Sequence, residues 1–86
     1  MNIVYSRTAV KAIEAMDKDV KQRIKAGIEG LTEVPPLGDI KMMQGINPPG
    51  YRLRVGKYRV LYQYHQVGDK QALLIKDVGS RGDIYK

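Results

Sequence analysis

The stretch Tyr51-Arg52-Leu53-Arg54-Val55-Gly56-Lys57-Tyr58-Arg59-Val60-Leu61-Tyr62 restricts the fold more than any other part of the chain. Apolar and cationic side chains alternate on both sides of Gly56-Lys57, and a period of two belongs to strands. Glycine in the first central position suits a two-residue hairpin turn. The register then follows: Val55 faces Tyr58, Arg54 faces Arg59, Leu53 faces Val60 and Arg52 faces Leu61. Side chains directly opposite share one face of the sheet. Tyr51, Leu53, Val55, Tyr58, Val60 and Tyr62 therefore line a face that must be covered, and Arg52, Arg54 and Arg59 project from the other. Like charges directly opposite cost a few tenths of a kcal/mol. A fold does not need that arrangement, whereas a polyanion does, because guanidinium groups grip phosphate with two parallel hydrogen bonds and stay charged.

The flanking sequence supplies the cover. Residues 2–5, Asn-Ile-Val-Tyr, read as a short strand, and Ser6 as a helix N-cap whose hydroxyl can accept from the first turn. A first helix follows to about Met16, with Ala9, Val10, Ile13 and Met16 on one stripe. Asp17 caps a second helix with Val20, Ile24, Ile28 and Leu31 as its apolar stripe. Gly27 and Gly30 interrupt this helix and permit close packing on a neighbour. Pro35-Pro36 ends it. Residues 34–50 hold four prolines and three glycines and form a long connection. Within it, Asp39 to Gln44 suggests one more strand or helical turn. Gly68-Asp69 marks a second turn, residues 71–78 a last strand, and Gly79 to Lys86 a short basic tail. The expected architecture is α+β, in the order β-α-α-β-β-β, with a helical hairpin packed on one face of a small antiparallel sheet. At 86 residues this makes one domain, 1–86.

Charge and composition narrow the chemistry. The net charge is +6, and its distribution is uneven. Residues 1–50 carry seven basic and six acidic side chains, while residues 51–86 carry eight basic and three acidic. A localised positive field points to a polyanionic or acidic partner. Cysteine is absent, so disulfides, thiolate metal sites and cysteine nucleophiles are excluded. His65 is the single histidine, which excludes a histidine pair as acid and base. No apolar run approaches the ~20 residues that cross a bilayer. The N-terminus has no basic segment leading into an apolar one, so the expected location is cytoplasmic, without membrane association.

The 51–62 hairpin resembles the central hairpin of the RelE/ParE toxin superfamily. Val78-Gly79-Ser80-Arg81-Gly82-Asp83-Ile84-Tyr85 is similar to its C-terminal signature, a glycine and arginine followed by a tyrosine, and the strand-to-helix entry from Ile3 to Ala9 also matches. The resemblance spans nearly the whole chain and implies a RelE-like toxin of a type II toxin–antitoxin pair. It implies a ribosome-dependent endoribonuclease that cuts mRNA in the A site, without metal or cofactor, using the neighbouring 2′-OH as nucleophile. By the same resemblance Arg59 stabilises the phosphate transition state, Arg81 protonates the leaving oxygen and Tyr85 stacks on or orients a base. Arg52, Arg54 and Lys57 become RNA contacts. The implied partners are a RelB-like antitoxin, the ribosome and mRNA. Lysine at position 52 or 54 could serve as base, but arginine, with a pKa above ~12, is a poor one. Tyr85, Asp83, Lys57, Lys76 or a ribosomal group remain as bases. ParE-like members instead inhibit DNA gyrase without nuclease residues, and a non-catalytic module that only binds an antitoxin is a third reading.

Overall fold

The structure is a computed structural model that describes residues 1–43, 45 and 50–80. Its elements are β1 (Asn2–Tyr5), α1 (Arg7–Glu14), α2 (Lys18–Gly30), β2 (Asp39–Met43), β3 (Gly50–Val55), β4 (Tyr58–Val67) and β5 (Lys70–Ser80). The five strands form one sheet in the order β1-β5-β4-β3-β2. The fold class is the expected α+β arrangement, and Asp39–Met43 resolves as a strand. One edge departs from an all-antiparallel sheet, because β1 runs parallel to β5. Short turns force antiparallel pairing only between successive strands, and β1 and β5, neighbours in the sheet, are the first and last strands along the chain.

The β3–β4 hairpin has the register read from its alternation, from Tyr51 opposite Tyr62 to Val55 opposite Tyr58. Gly56 turns it with φ +60°, the backbone that a primed two-residue turn demands. β5 continues two residues past its expected end: Gly79 pairs with Arg59 and Ser80 with Tyr58. These two residues therefore belong to the strand and not to a tail. Between Leu61 and Tyr62 the partner jumps from Asp77 to Ile75, which leaves Lys76 as an extra residue in a bulge.

Helix formation follows the local signals. The Ser6 hydroxyl accepts from the Ala9 N–H at 3.0 Å and donates to the Lys76 carbonyl at 2.6 Å. One side chain thus caps α1 and ties the β1–α1 junction to the bulge. Asp17 occupies the cap position of α2 without a side-chain hydrogen bond. α1 lies over β5 and α2 over β3. Between helices and sheet lie Ala9, Ile13, Ile24, Ile28 and Leu31 against Leu53, Val60, Tyr62, Leu73, Ile75 and Val78. Truncating one buried isoleucine of this cluster to alanine costs about 2–5 kcal/mol. A Cβ at Gly27 would stand 3.0 Å from Val55 Cγ2 and 3.3 Å from Leu53 Cδ2, so its bare backbone lets α2 approach β3 closely.

Tyr51, Tyr62 and Tyr64 form a cluster on the helix side of the sheet. Tyr51 and Tyr62 stack at 5.5 Å, and Tyr64 meets them edge-on at 5.9 and 5.6 Å. The Tyr64 hydroxyl donates to the Leu31 carbonyl at 3.0 Å, joining the end of α2 to β4. These tyrosines are structural, as the alternation implies.

Candidate functional site

The face of the sheet turned away from the helices carries the charged residues of the hairpin. Arg54 stands opposite Arg59 and Arg52 opposite Leu61. β2 extends the same face: Asp39 lies opposite Arg54, Lys41 opposite Arg52 and Met43 opposite Gly50. The three arginines share a face, as their register demands, but they are not equally presented. The Arg54 side chain is 46% exposed and that of Arg52 13%. Arg59 is buried, at 6%. β4 is the central strand of the sheet, so Arg59 has neighbours on both sides, Arg54 on β3 and Gly79 on β5.

A carboxylate enters the cluster from outside the hairpin. Asp39 Oδ1 lies 3.6 Å from Arg52 Nη2, and Asp39 Oδ2 lies 3.9 Å from Arg54 Nε. Both distances exceed hydrogen-bond length, so these are loose ion pairs. Asp39 is itself exposed, and solvent weakens such pairs to roughly 1 kcal/mol or less. Arg52 Nε is buried with no hydrogen-bond partner among the described residues. The Arg52–Arg54 pair is thus a cationic surface damped by the Asp39 carboxylate, and Asp77 lies on the same face of β5, opposite Leu61. Residues 51–68 hold no acidic group, Asp69 lying just beyond them, and the fold brings Asp39 across from β2. Sequence reasoning missed Asp39 and Lys41, and their only local signal was a weak strand pattern after Gly38.

Lys57 does not join this cluster. Its Nζ sits 5.6 Å from the centre of the Tyr58 ring, and Tyr58 packs against the core on the helix side. Arg81, Asp83 and Tyr85 lie outside the described residues. His65 is exposed and pairs with Ala72, three pleats along β4 from Arg59.

Beside Arg52 the open face is concave. Met43, Gly50, Leu61, Gln63 and Lys76, with Tyr51 and Tyr62, surround a hollow of about 190 Å³. The bulge in β5 is what brings Lys76 to its rim. Behind the hollow, burial pushes the Tyr62 hydroxyl well above the usual tyrosine range, and the neighbouring Tyr64 and Tyr51 reinforce the shift. That hydroxyl stays neutral and is no candidate base.

A helical hairpin on a five-stranded mixed sheet, with arginines on the face turned away from the helices, agrees with the comparison to known families. The profile of the ParE toxin of type II toxin–antitoxin systems matches residues 3–85. The chain belongs to this family. Solved structures agree on the fold of the toxin. The RelB–RelE antitoxin–toxin complex from Methanococcus jannaschii contains a chain 28% identical to it, with a TM-score of 0.71 over 95% of this chain and 94% of that one. The archaeal RelE–RelB complex from Pyrococcus horikoshii OT3 gives 24% identity and a TM-score of 0.74 over 95% and 96%. The YoeB/ParE toxin from Agrobacterium tumefaciens gives 18% and 0.77 over 94% and 99%. No curated protein matches the toxin significantly.

Proposed function

We propose that the toxin is a ribosome-dependent endoribonuclease that cuts mRNA by 2′-OH attack on the adjacent phosphate. The observation that carries this reading is the pairing of exposed Arg54 with buried Arg59, next to Arg52, on the face turned away from the helices. A cation in a desolvated position acts more strongly on developing charge than one in water. Arg59 suits the doubly charged phosphorane-like state, while Arg52 and Arg54 suit binding of the chain of phosphates. In the step itself the 2′-O–H loses its proton to a base and the 2′-oxygen bonds to phosphorus. The bond to the 5′-oxygen then breaks, and that oxygen gains a proton. The resemblance gives the last role to Arg81 and the orientation of a base to Tyr85. The ribosome supplies positioning, which an open and shallow surface lacks.

The same reading includes an antitoxin as partner, in keeping with the RelB–RelE complexes among the similar structures. A second reading, inhibition of DNA gyrase, is favoured by the ParE profile. The two separate cleanly in one comparison. Purified toxin added to translating ribosomes should cut mRNA there and leave naked RNA largely intact. Intact mRNA on ribosomes, together with inhibited supercoiling by gyrase, replaces the first reading with the second.

A further inference from the structure

The hollow beside Arg52 has no part in phosphate binding as described above, yet it lies on the same face. Gly50 is buried and has no side chain, so it leaves a floor of backbone. Leu61 and Met43 give apolar walls, and Gln63 and Lys76 give polar groups at the rim. Gly50 and Arg52 alternate on β3 and therefore share a face, about 7 Å apart along the strand. A phosphate over Arg52 and Arg54 places the rest of its nucleotide within reach of the hollow. A volume of about 190 Å³ accepts one planar heterocycle and no folded element. Flat bases bind between apolar side chains and are read along their edges by amide and ammonium groups. The thioether of methionine is polarisable and adapts to a ring face.

We propose that this hollow is a nucleobase subsite of single-stranded RNA, distinct from the arginine cluster that holds phosphate. The assignment rests on the reading of the open face as an RNA surface. Leu61 and Met43 contact the faces of the base, and the Gln63 amide and Lys76 ammonium meet its edge. The subsite adds a base preference to an otherwise sequence-blind electrostatic contact.

Methionine methyl resonances test it on the intact toxin. The chain holds four methionines. Met43 stands at the hollow, and Met42, opposite Tyr51 on the other face, is an internal control. The probes are a tetraribonucleotide with methylated 2′-hydroxyls and the same oligomer lacking one base. The full oligomer should bind about tenfold tighter, near the lower end of what one stacked base contributes. It should shift the Met43 methyl upfield by ring current and leave Met42 in place. Leu61→Ala and, separately, Gln63→Leu should abolish the preference while keeping the affinity for the oligomer lacking a base. Arg52→Ala should weaken both oligomers. Equal affinity for the two oligomers, or an unmoved Met43 methyl at saturation, overturns the subsite while leaving phosphate binding intact. Failure of both oligomers to bind at low salt overturns the RNA reading itself.

Discussion

At the scale of single residues, burial divides the arginines. Arg54 is open to solvent, Arg52 mostly covered and Arg59 buried. An exposed cation holds a polyanion about equally before and during reaction, so its loss appears in binding. A desolvated cation acts most where charge accumulates, so its loss appears in rate. Arg59→Ala should slow single-turnover cleavage on saturating ribosomes by about 10²–10³, the cost typical of one lost oxyanion donor. Arg81→Ala should do likewise if it protonates the leaving oxygen. Arg54→Ala should leave the saturated rate nearly unchanged and weaken binding, with a shallower dependence on salt. Asp39→Asn should act in the opposite direction, tightening binding by removing the carboxylate that pairs with Arg52 and Arg54. Single-turnover rates with ribosome titrations at two salt concentrations decide all four. A wild-type rate for Arg81→Ala reduces that residue to a phosphate contact, and weaker binding by Asp39→Asn shows that the carboxylate orders the arginines rather than damping them.

At the scale of elements, β2 decides what the arginines meet. Its entry passes through Gly38, whose φ of +123° is open to glycine and strained for other residues. A Cβ there would stand 2.6 Å from Leu53 Cδ1, and Leu53 is buried. Gly38→Ala therefore combines backbone strain with a clash against the core. The expected cost is about 1–3 kcal/mol, which lowers Tm by roughly 4–20 °C in a domain of this size. Thermal unfolding followed by circular dichroism measures it. An unchanged Tm means that the residues before β2 shift freely and that Asp39 is not held in register with Arg54. The β5 bulge is the second such element: Ser6 binds the Lys76 carbonyl, so the cap of α1 also steadies the rim of the hollow.

At the scale of the whole molecule, the absence of cross-links leaves a small core to carry stability. Chains of this size bury only about 60–65% of their unfolded surface and have little margin. Ionisation of one buried group then matters. The Tyr62 hydroxyl titrates above its ordinary value in the folded state, chiefly because it is buried. A group whose folded pKa is raised contributes its full stability below the unfolded pKa, about 10 for tyrosine. That contribution is lost as pH climbs from there toward the folded value. Tm should hold steady through pH 9 and fall steeply above about pH 10. Tyr62→Phe should flatten the fall, whatever it does to Tm at neutral pH. A decline of equal slope in wild type and Tyr62→Phe assigns the alkaline loss to other groups, the lysines first among them.

The hairpin was legible in the sequence because its information is local. Strict alternation around Gly56-Lys57 sets both register and faces, and these hold from Tyr51 to Tyr62. The Ser6 cap and most of both apolar stripes were legible because their signals are local too; Asp17 takes the cap position without a side-chain hydrogen bond, and Val10, read onto the first stripe, is exposed. The tertiary structure decided whatever depends on which strands become neighbours. The parallel pairing of β1 with β5, the bulge at Lys76, the ion pairs of Asp39 and the burial of Arg59 all arise between segments far apart in sequence. Alternation places a side chain on a face, but its exposure, its counter-charge and the hollow beside it depend on what packs alongside. The sequence thus determined which residues could form a cationic surface, and the fold determined which of them is desolvated, which is damped and where a base could sit.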